Sequence, residues 1–213
     1  DTSASSRGNR LYLAVVSTVA ALGGFLFGFD TAVISGCVGF LEDQFHLTDW
    51  TKGYVVSSAL IGCICGAAVA GWLSDRLGRR RLLMLAAGLF FVSALGCMVP
   101  RDVPTLILAR WIGGLGVGIA SMLSPLYISE ISPPGVRGAL VAMYQLAITV
   151  GILVAYFSNA AIVALGQSVG DLAGSGFLNW LVVAEPWRAM FGAEAVPAAA
   201  VYLPPVTVPE SPR

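Results

Sequence analysis

The 213-residue chain has a mean hydropathy of +0.82, with 57% hydrophobic and only 11% charged residues. Soluble domains carry about 25% charged residues, so a water-soluble globular fold is excluded and membrane spans are expected. Twelve basic residues balance twelve acidic ones, so the chain lacks the charge excess of a nucleic-acid binder.

Arg7 and Arg10 precede the first apolar run. The run is too long for a signal-peptide core and more spans follow, so it reads as a retained first helix. That helix is expected from about Leu11 to the mid-thirties, with apolar character continuing to Leu41. Residues 1–10 form the expected cytoplasmic segment before it. A polar loop over Glu42–Lys52 leads to helix two, expected over Gly53–Leu73. The stretch Gly71-Trp72-Leu73-Ser74-Asp75-Arg76-Leu77-Gly78-Arg79-Arg80-Arg81 follows, with four arginines between two spans. Helix three is expected over Leu82–Val99, and Pro100-Arg101-Asp102-Val103-Pro104 reads as a turn. Helix four is expected over Thr105–Ile128. A polar segment with the breaker Pro133-Pro134-Gly135 separates it from helix five, expected over Gly138–Leu165. Gly166–Gly176 reads as a flexible loop, and Phe177–Ala184 is apolar but too short to span. Helix six starts near Trp187 and ends by Leu203, where Pro204-Pro205 stops it. Each span is near the ~20 residues that a bilayer core needs, and none shows the ten-residue alternation of a β-barrel. The fold class is therefore an all-α membrane protein, with a six-helix domain over 11–206 and a cytoplasmic segment over 207–213.

Six spans put both ends on one side. Arg7, Arg10, Arg76, Arg79, Arg80, Arg81, Arg137 and Arg213 fall on that side, against Lys52, Arg101 and Arg188 on the other. Short loops rich in Lys and Arg stay inside, so both ends are expected in the cytoplasm. Gly62 and Gly66 in helix two, and Gly114 and Gly118 in helix four, are spaced for close helix packing. The run Gly114-Leu115-Gly116-Val117-Gly118 lies mid-span, where a dinucleotide fingerprint cannot sit. Trp50, Trp72, Trp111 and Trp187 lie near expected span ends, as an interfacial belt requires. Cys37, Cys63, Cys65 and Cys97 lie in or beside apolar runs and read as small packing residues. With a single His (His46) and no CxxC, no metal site and no cofactor is expected.

Two ionisable residues fall inside apolar helices, Asp30 and Arg110. A charge there costs about 2.5–3.5 kcal/mol and marks function by default. Asp30 is nineteen residues past Leu11, roughly 28 Å along an outward helix; Arg110 is six past Pro104, roughly 9 Å into an inward one. Both fall in the outer half of the membrane, where they can meet. Such a carboxylate either exchanges a proton or stays in a fixed ion pair. Gln145, about two turns into helix five, bonds another helix or a polar solute such as a sugar hydroxyl. Ile152 shares its face. Phe27, near Asp30, either packs or offers an apolar ring to a sugar.

Ordered motifs support a resemblance. They are Gly28-Phe29-Asp30-Thr31-Ala32-Val33-Ile34-Ser35-Gly36, the arginine stretch, Ala109-Arg110-Trp111-Ile112-Gly113-Gly114, and Ser124-Pro125-Leu126-Tyr127-Ile128-Ser129-Glu130. Arg137-Gly138, Gln145, Trp187-Arg188-x-Met190-Phe191 and Pro209-Glu210-Ser211-Pro212-Arg213 complete the set. The chain resembles the amino-terminal half of a sugar porter in the major facilitator superfamily, from helix one to the last residue. It is similar to bacterial xylose–proton symporters and animal glucose transporters. The resemblance implies 3+3 inverted repeats, a second six-helix half as partner, and alternating-access transport of a monosaccharide with a proton across the inner membrane. It implies that Asp30 and Arg110 couple the proton, and that Gln145 and Phe27 bind sugar. It implies that Asp75, Arg79, Arg80, Glu130, Arg137, Glu210 and Arg213 form a cytoplasmic latch. Ile152 departs from the xylose symporter, which has a second glutamine there, so xylose specificity is not implied. Pro204-Pro205 also departs from relatives that stay apolar. A facilitative uniporter and a non-transporting sugar sensor remain alternatives; an enzyme is disfavoured, because no nucleophile–base pair or metal cluster appears.

Overall fold

The computed structural model describes residues 2–169, 176 and 179–202, with side chains from residue 21 onward except 131, 169 and 200–202. Every long element is a helix: α1 (Thr2–Phe45), α2 (Asp49–Leu77), α3 (Arg79–Met98), α4 (Val103–Ile131) and α5 (Pro134–Val169). A π-helical turn (Trp180–Ala184), α6 (Pro186–Ala193) and α7 (Ala195–Tyr202) complete the described residues, which contain no strand. Five helices are long and apolar enough to cross a membrane.

Over the first five helices the boundaries differ from those expected mostly towards longer helices and shorter loops; the end of α3, at Met98 and not Val99, is the exception. Ending a helix frees backbone groups that hydrocarbon cannot satisfy, so it runs on until the chain reaches polar surroundings. Residues 2–10, though polar, also belong to α1, and the expected loop over Glu42–Lys52 shrinks to residues 46–48. Thr48 takes an extended conformation and caps α2 by accepting from the Thr51 N–H at 3.4 Å. The arginine stretch is a one-residue turn. Arg76 closes α2, Arg79 opens α3, and Gly78 between them has φ 87°, a value that an L side chain resists. Asp102 caps α4 by accepting from the Thr105 N–H at 2.9 Å. Pro134, read as part of a breaker, is the first residue of α5, where its missing N–H costs nothing.

The expected single sixth helix is two short ones with a turn at Glu194. Pro197 accounts for the break. It has no N–H to bond the Ala193 carbonyl four residues back, and its ring crowds that carbonyl. The pair takes the place of the sixth span; Leu203 and Pro204-Pro205 lie outside the described residues.

Packing follows the small residues. α2 lies on α4, and α1 lies on α5. A Cβ on Gly62 would sit 2.3 Å from the Trp111 carbonyl oxygen, and one on Gly114 2.1 Å from that of Ala59. The α1–α5 contact has the same form: a Cβ on Gly28 would meet the Ile148 oxygen at 2.0 Å, and one on Gly151 the Phe25 oxygen at 2.2 Å. Exchanging the first three helices with the next three turns one contact into the other, as 3+3 repeats require. α3 packs on the outside of α4 and against α6 and α7.

Tryptophans separate by environment. Trp50 is 91% exposed and Trp72 is exposed, as a belt requires. Trp187 is buried and donates its ring N–H to Gln44 Oε1 at 2.6 Å, so it is a core residue and not part of the belt.

Candidate functional site

The centre of the bundle is lined by α1, α4 and the α6–α7 break. Burial of Phe29, Val33, Cys37, Leu106, Trp187 and Phe191 in one apolar cluster brings these elements together. In that surrounding three ionisable side chains meet. Asp30 points from α1, Arg110 from α4, and Glu194 from the turn between α6 and α7.

Arg110 Nη1 lies 3.7 Å from Asp30 Oδ1, with side-chain exposures of 2% and 12%. The pair is in Coulombic contact but beyond hydrogen-bond length. The Arg110 guanidinium also stands 5.5 Å above the Phe191 ring, a cation–π arrangement that partly replaces lost hydration. Its Nε and Nη1 have no protein partner among the described residues. Glu194 is buried, interacts electrostatically with both Asp30 and Arg110, and leaves its Oε1 without a partner. Two carboxyls thus face one guanidinium. With both ionised the trio carries one net negative charge in an apolar interior; with one proton bound it is neutral. A lone buried charge costs several kcal/mol. Sequence reading missed Glu194 because it falls in the expected last span without a partner in view; Pro197, three residues on, was the available signal.

Phe27 is half-buried and lines a cavity with Asp30 and Arg110. Gln145 and Ile152 do not line it. Gln145 is exposed on α5 and Ile152 is half-buried, packed against the cluster around Phe29. One turn beyond Asp30, the Asn159 side-chain amide of α5 donates to the Val33 carbonyl at 3.2 Å. This bond and the small Gly36 beside Asn159 hold α1 and α5 in register.

At the opposite end, Arg79 binds Glu130 through two bonds, Nη2–Oε1 at 2.7 Å and Nε–Oε2 at 3.2 Å, and donates to Ser74 Oγ at 2.5 Å. These contacts tie the start of α3 to the ends of α2 and α4. Arg137 donates to the Ser132 carbonyl at 3.3 Å, capping α4. Asp75 and Arg80 lie at the same end and also have partners. Glu210 and Arg213 lie outside the described residues.

The sequence profile described as sugar (and other) transporter matches residues 16–213. The chain belongs to the sugar transporter family. The fold agrees. The structure of the proton:xylose symporter XylE bound to 6-bromo-6-deoxy-D-glucose superposes with a TM-score of 0.81 at 39% identity, over 95% of this chain and 46% of that one. The arabinose-proton symporter of Bacillus subtilis (strain 168) is 45% identical over 95% of this chain and 41% of its own. The glucose transport protein of Synechocystis sp. (strain ATCC 27184 / PCC 6803 / Kazusa) is 43% identical over 98% and 43%. This sugar-transporter chain therefore spans less than half the length of the relatives it matches. It is a multi-pass membrane protein with the half-fold of a major facilitator, and not an enzyme.

Proposed function

We propose that this chain forms the amino-terminal half of a proton-coupled monosaccharide symporter, with both ends in the cytoplasm of a cell membrane. The observation that carries the proton coupling is the Asp30–Arg110–Glu194 trio, buried and neutral only with one proton bound. Asp30 takes the proton, Arg110 sets the charge balance, and Glu194 is a second carboxyl able to share it. Neutralising the trio loosens the hold of α1 on α4 and of both on the α6–α7 break, which lets the half move as alternating access requires.

Gln145 and Phe27 bind the sugar, with Ile152 as an apolar wall. Gln145 stands exposed on the α5 face, free to present its amide to hydroxyls. The relatives differ in the sugar their names carry, and Ile152 removes one amide from the wall, so a hexose suits this chain as well as a pentose. A second six-helix half supplies the other wall. The Arg79–Glu130 pair, with Asp75, Arg80, Arg137, Glu210 and Arg213, latches the cytoplasmic end while the outer end is open.

Radiolabelled glucose and xylose uptake into proteoliposomes tests the reading on the full-length chain. Accumulation under an inward proton gradient, abolished by a protonophore and by Asp30→Asn, is the expected result. Equilibration indifferent to the gradient identifies a facilitative uniporter; sugar binding without flux identifies a sensor. Glu194→Gln abolishes accumulation if the second carboxyl shares the proton, and leaves it intact if Asp30 acts alone.

A further inference from the structure

α1 packs on α5 and α4 but barely touches α2. In the gap so left lies a cavity of about 70 Å³ lined by Phe27, Asp30 and Thr31 of α1, Leu60 and Cys63 of α2, and Arg110 of α4. It is not part of the apolar core, and of the proposed sugar ligands only Phe27 lines it, Gln145 and Ile152 standing on α5. A single water needs only about 10–15 Å³ on this measure, together with two to four polar partners, so the space admits several.

The partners are present. Arg110 is buried, yet its Nε and Nη1 find no protein acceptor among the described residues. Leaving such donors dry is costly, and the 3.7 Å gap to Asp30 Oδ1 is too long for a direct bond. A polar contact of that length is a place for a bridging water. Thr31 donates its hydroxyl hydrogen to the Phe27 carbonyl at 2.7 Å, so its oxygen remains an acceptor. The titratable groups around Asp30 are Arg110 on α4, Cys63 on α2, Cys97 on α3 and Glu194 between α6 and α7.

We propose that the cavity between α1, α2 and α4 holds a hydrogen-bonded cluster of water molecules that solvates Arg110 and passes the proton to and from Asp30. The inference rests on the reading of Asp30 as the proton site and adds its route. A proton leaves a protonated water at the Thr31–Leu60 mouth and moves along the cluster. An O–H bond forms on the Asp30 carboxylate, and neutral water remains behind; release reverses the steps. Arg110 keeps its charge throughout. The proton then reaches Asp30 through the cavity between α1 and α2, while Gln145 and Ile152 meet the sugar on α5 and Phe27 stands where the two paths adjoin.

Hydroxyl-radical footprinting by X-ray radiolysis of water, on the full-length chain in lipid nanodiscs, tests the water directly. Radicals born in bound water oxidise the side chains that touch it. The expected result is faster oxidation of half-buried Phe27 than of Phe91, which is 38% exposed on α3, and of Cys63 than of Cys97. Phe91 labelling as fast as Phe27 overturns the proposal. The relay is tested by Thr31→Val, which keeps shape and removes the hydroxyl oxygen. Gradient-driven uptake slows about fivefold, the value of one lost hydrogen bond, while sugar exchange without a gradient is unchanged. Equal loss in both assays marks a packing effect and overturns the relay, as does no loss in either. Fast Phe27 labelling in a protein without proton coupling overturns the relay together with the reading of Asp30; coupling without that labelling overturns the water route alone.

Discussion

A buried charge is tolerated only with its counter-charge, and this decides what each member of the Asp30–Arg110–Glu194 trio tolerates. Arg110→Met leaves two carboxyls facing each other without a cation. Removing one partner of a buried pair costs about 3–5 kcal/mol, so thermal unfolding in detergent shows a large loss. Adding Asp30→Asn to Arg110→Met recovers part of it, because the remaining carboxyl has less to repel; a double-mutant cycle measures the coupling. Outside the membrane, hydrogen bonds from the Thr105 hydroxyl and backbone N–H hold the Asp102 carboxyl below its ordinary range. Its folded value is depressed, so its support of α4 is complete above the unfolded Asp range and fades as pH falls through the folded value. Asp102→Asn retains the cap and flattens that part of the acid-side stability profile, measured by unfolding at a series of pH values. Asp30 and Arg110 were legible in the sequence because each is a lone charge in an apolar run. Glu194 was not, because its depth depends on where the last helix breaks.

The helices owe their close contacts to glycine at the crossings. Gly62→Ala puts a methyl 2.3 Å from the Trp111 carbonyl oxygen, and backbone cannot step aside cheaply. Overpacking of this kind costs about 1–3 kcal/mol. Gly53→Ala on the same helix meets nothing within 4 Å and leaves stability unchanged or slightly higher, since Ala favours helix. Melting temperatures of the two variants, side by side, separate crossing glycines from incidental ones. The spacing of Gly62 with Gly66 and of Gly114 with Gly118 announced this packing in the sequence. The partner pair Gly28 and Gly151 did not stand out, because only the fold sets them opposite carbonyls of another helix. Most helix ends were misjudged as too short, since hydropathy marks where side chains leave the membrane and not where the backbone stops turning.

Across the whole molecule, α5 shows an unpartnered apolar face: Leu146, Val150, Leu153, Tyr156 and Phe157 are all exposed. A second six-helix half would cover part of it. The 213-residue chain alone is expected to self-associate in detergent, and co-expression with the second half of a related sugar transporter to yield a monodisperse complex; a stable monomer by light scattering contradicts this. The proposed orientation has its own check. A cysteine at Asp102 reacts with an impermeant thiol reagent added outside intact cells, and a cysteine at Arg80 does not.

The sequence by itself determined that the chain spans a membrane, where its first five spans lie, and that Asp30 and Arg110 stand within them. Those properties follow from composition along the chain, because hydrocarbon penalises each polar group where it stands. The family followed from ordered motifs. Only the tertiary structure decided that Glu194 joins Asp30 and Arg110, that Trp187 is core, and that a cavity carrying both charges opens between α1, α2 and α4. Each depends on which helix faces come together, and that is set by packing between residues far apart in the chain.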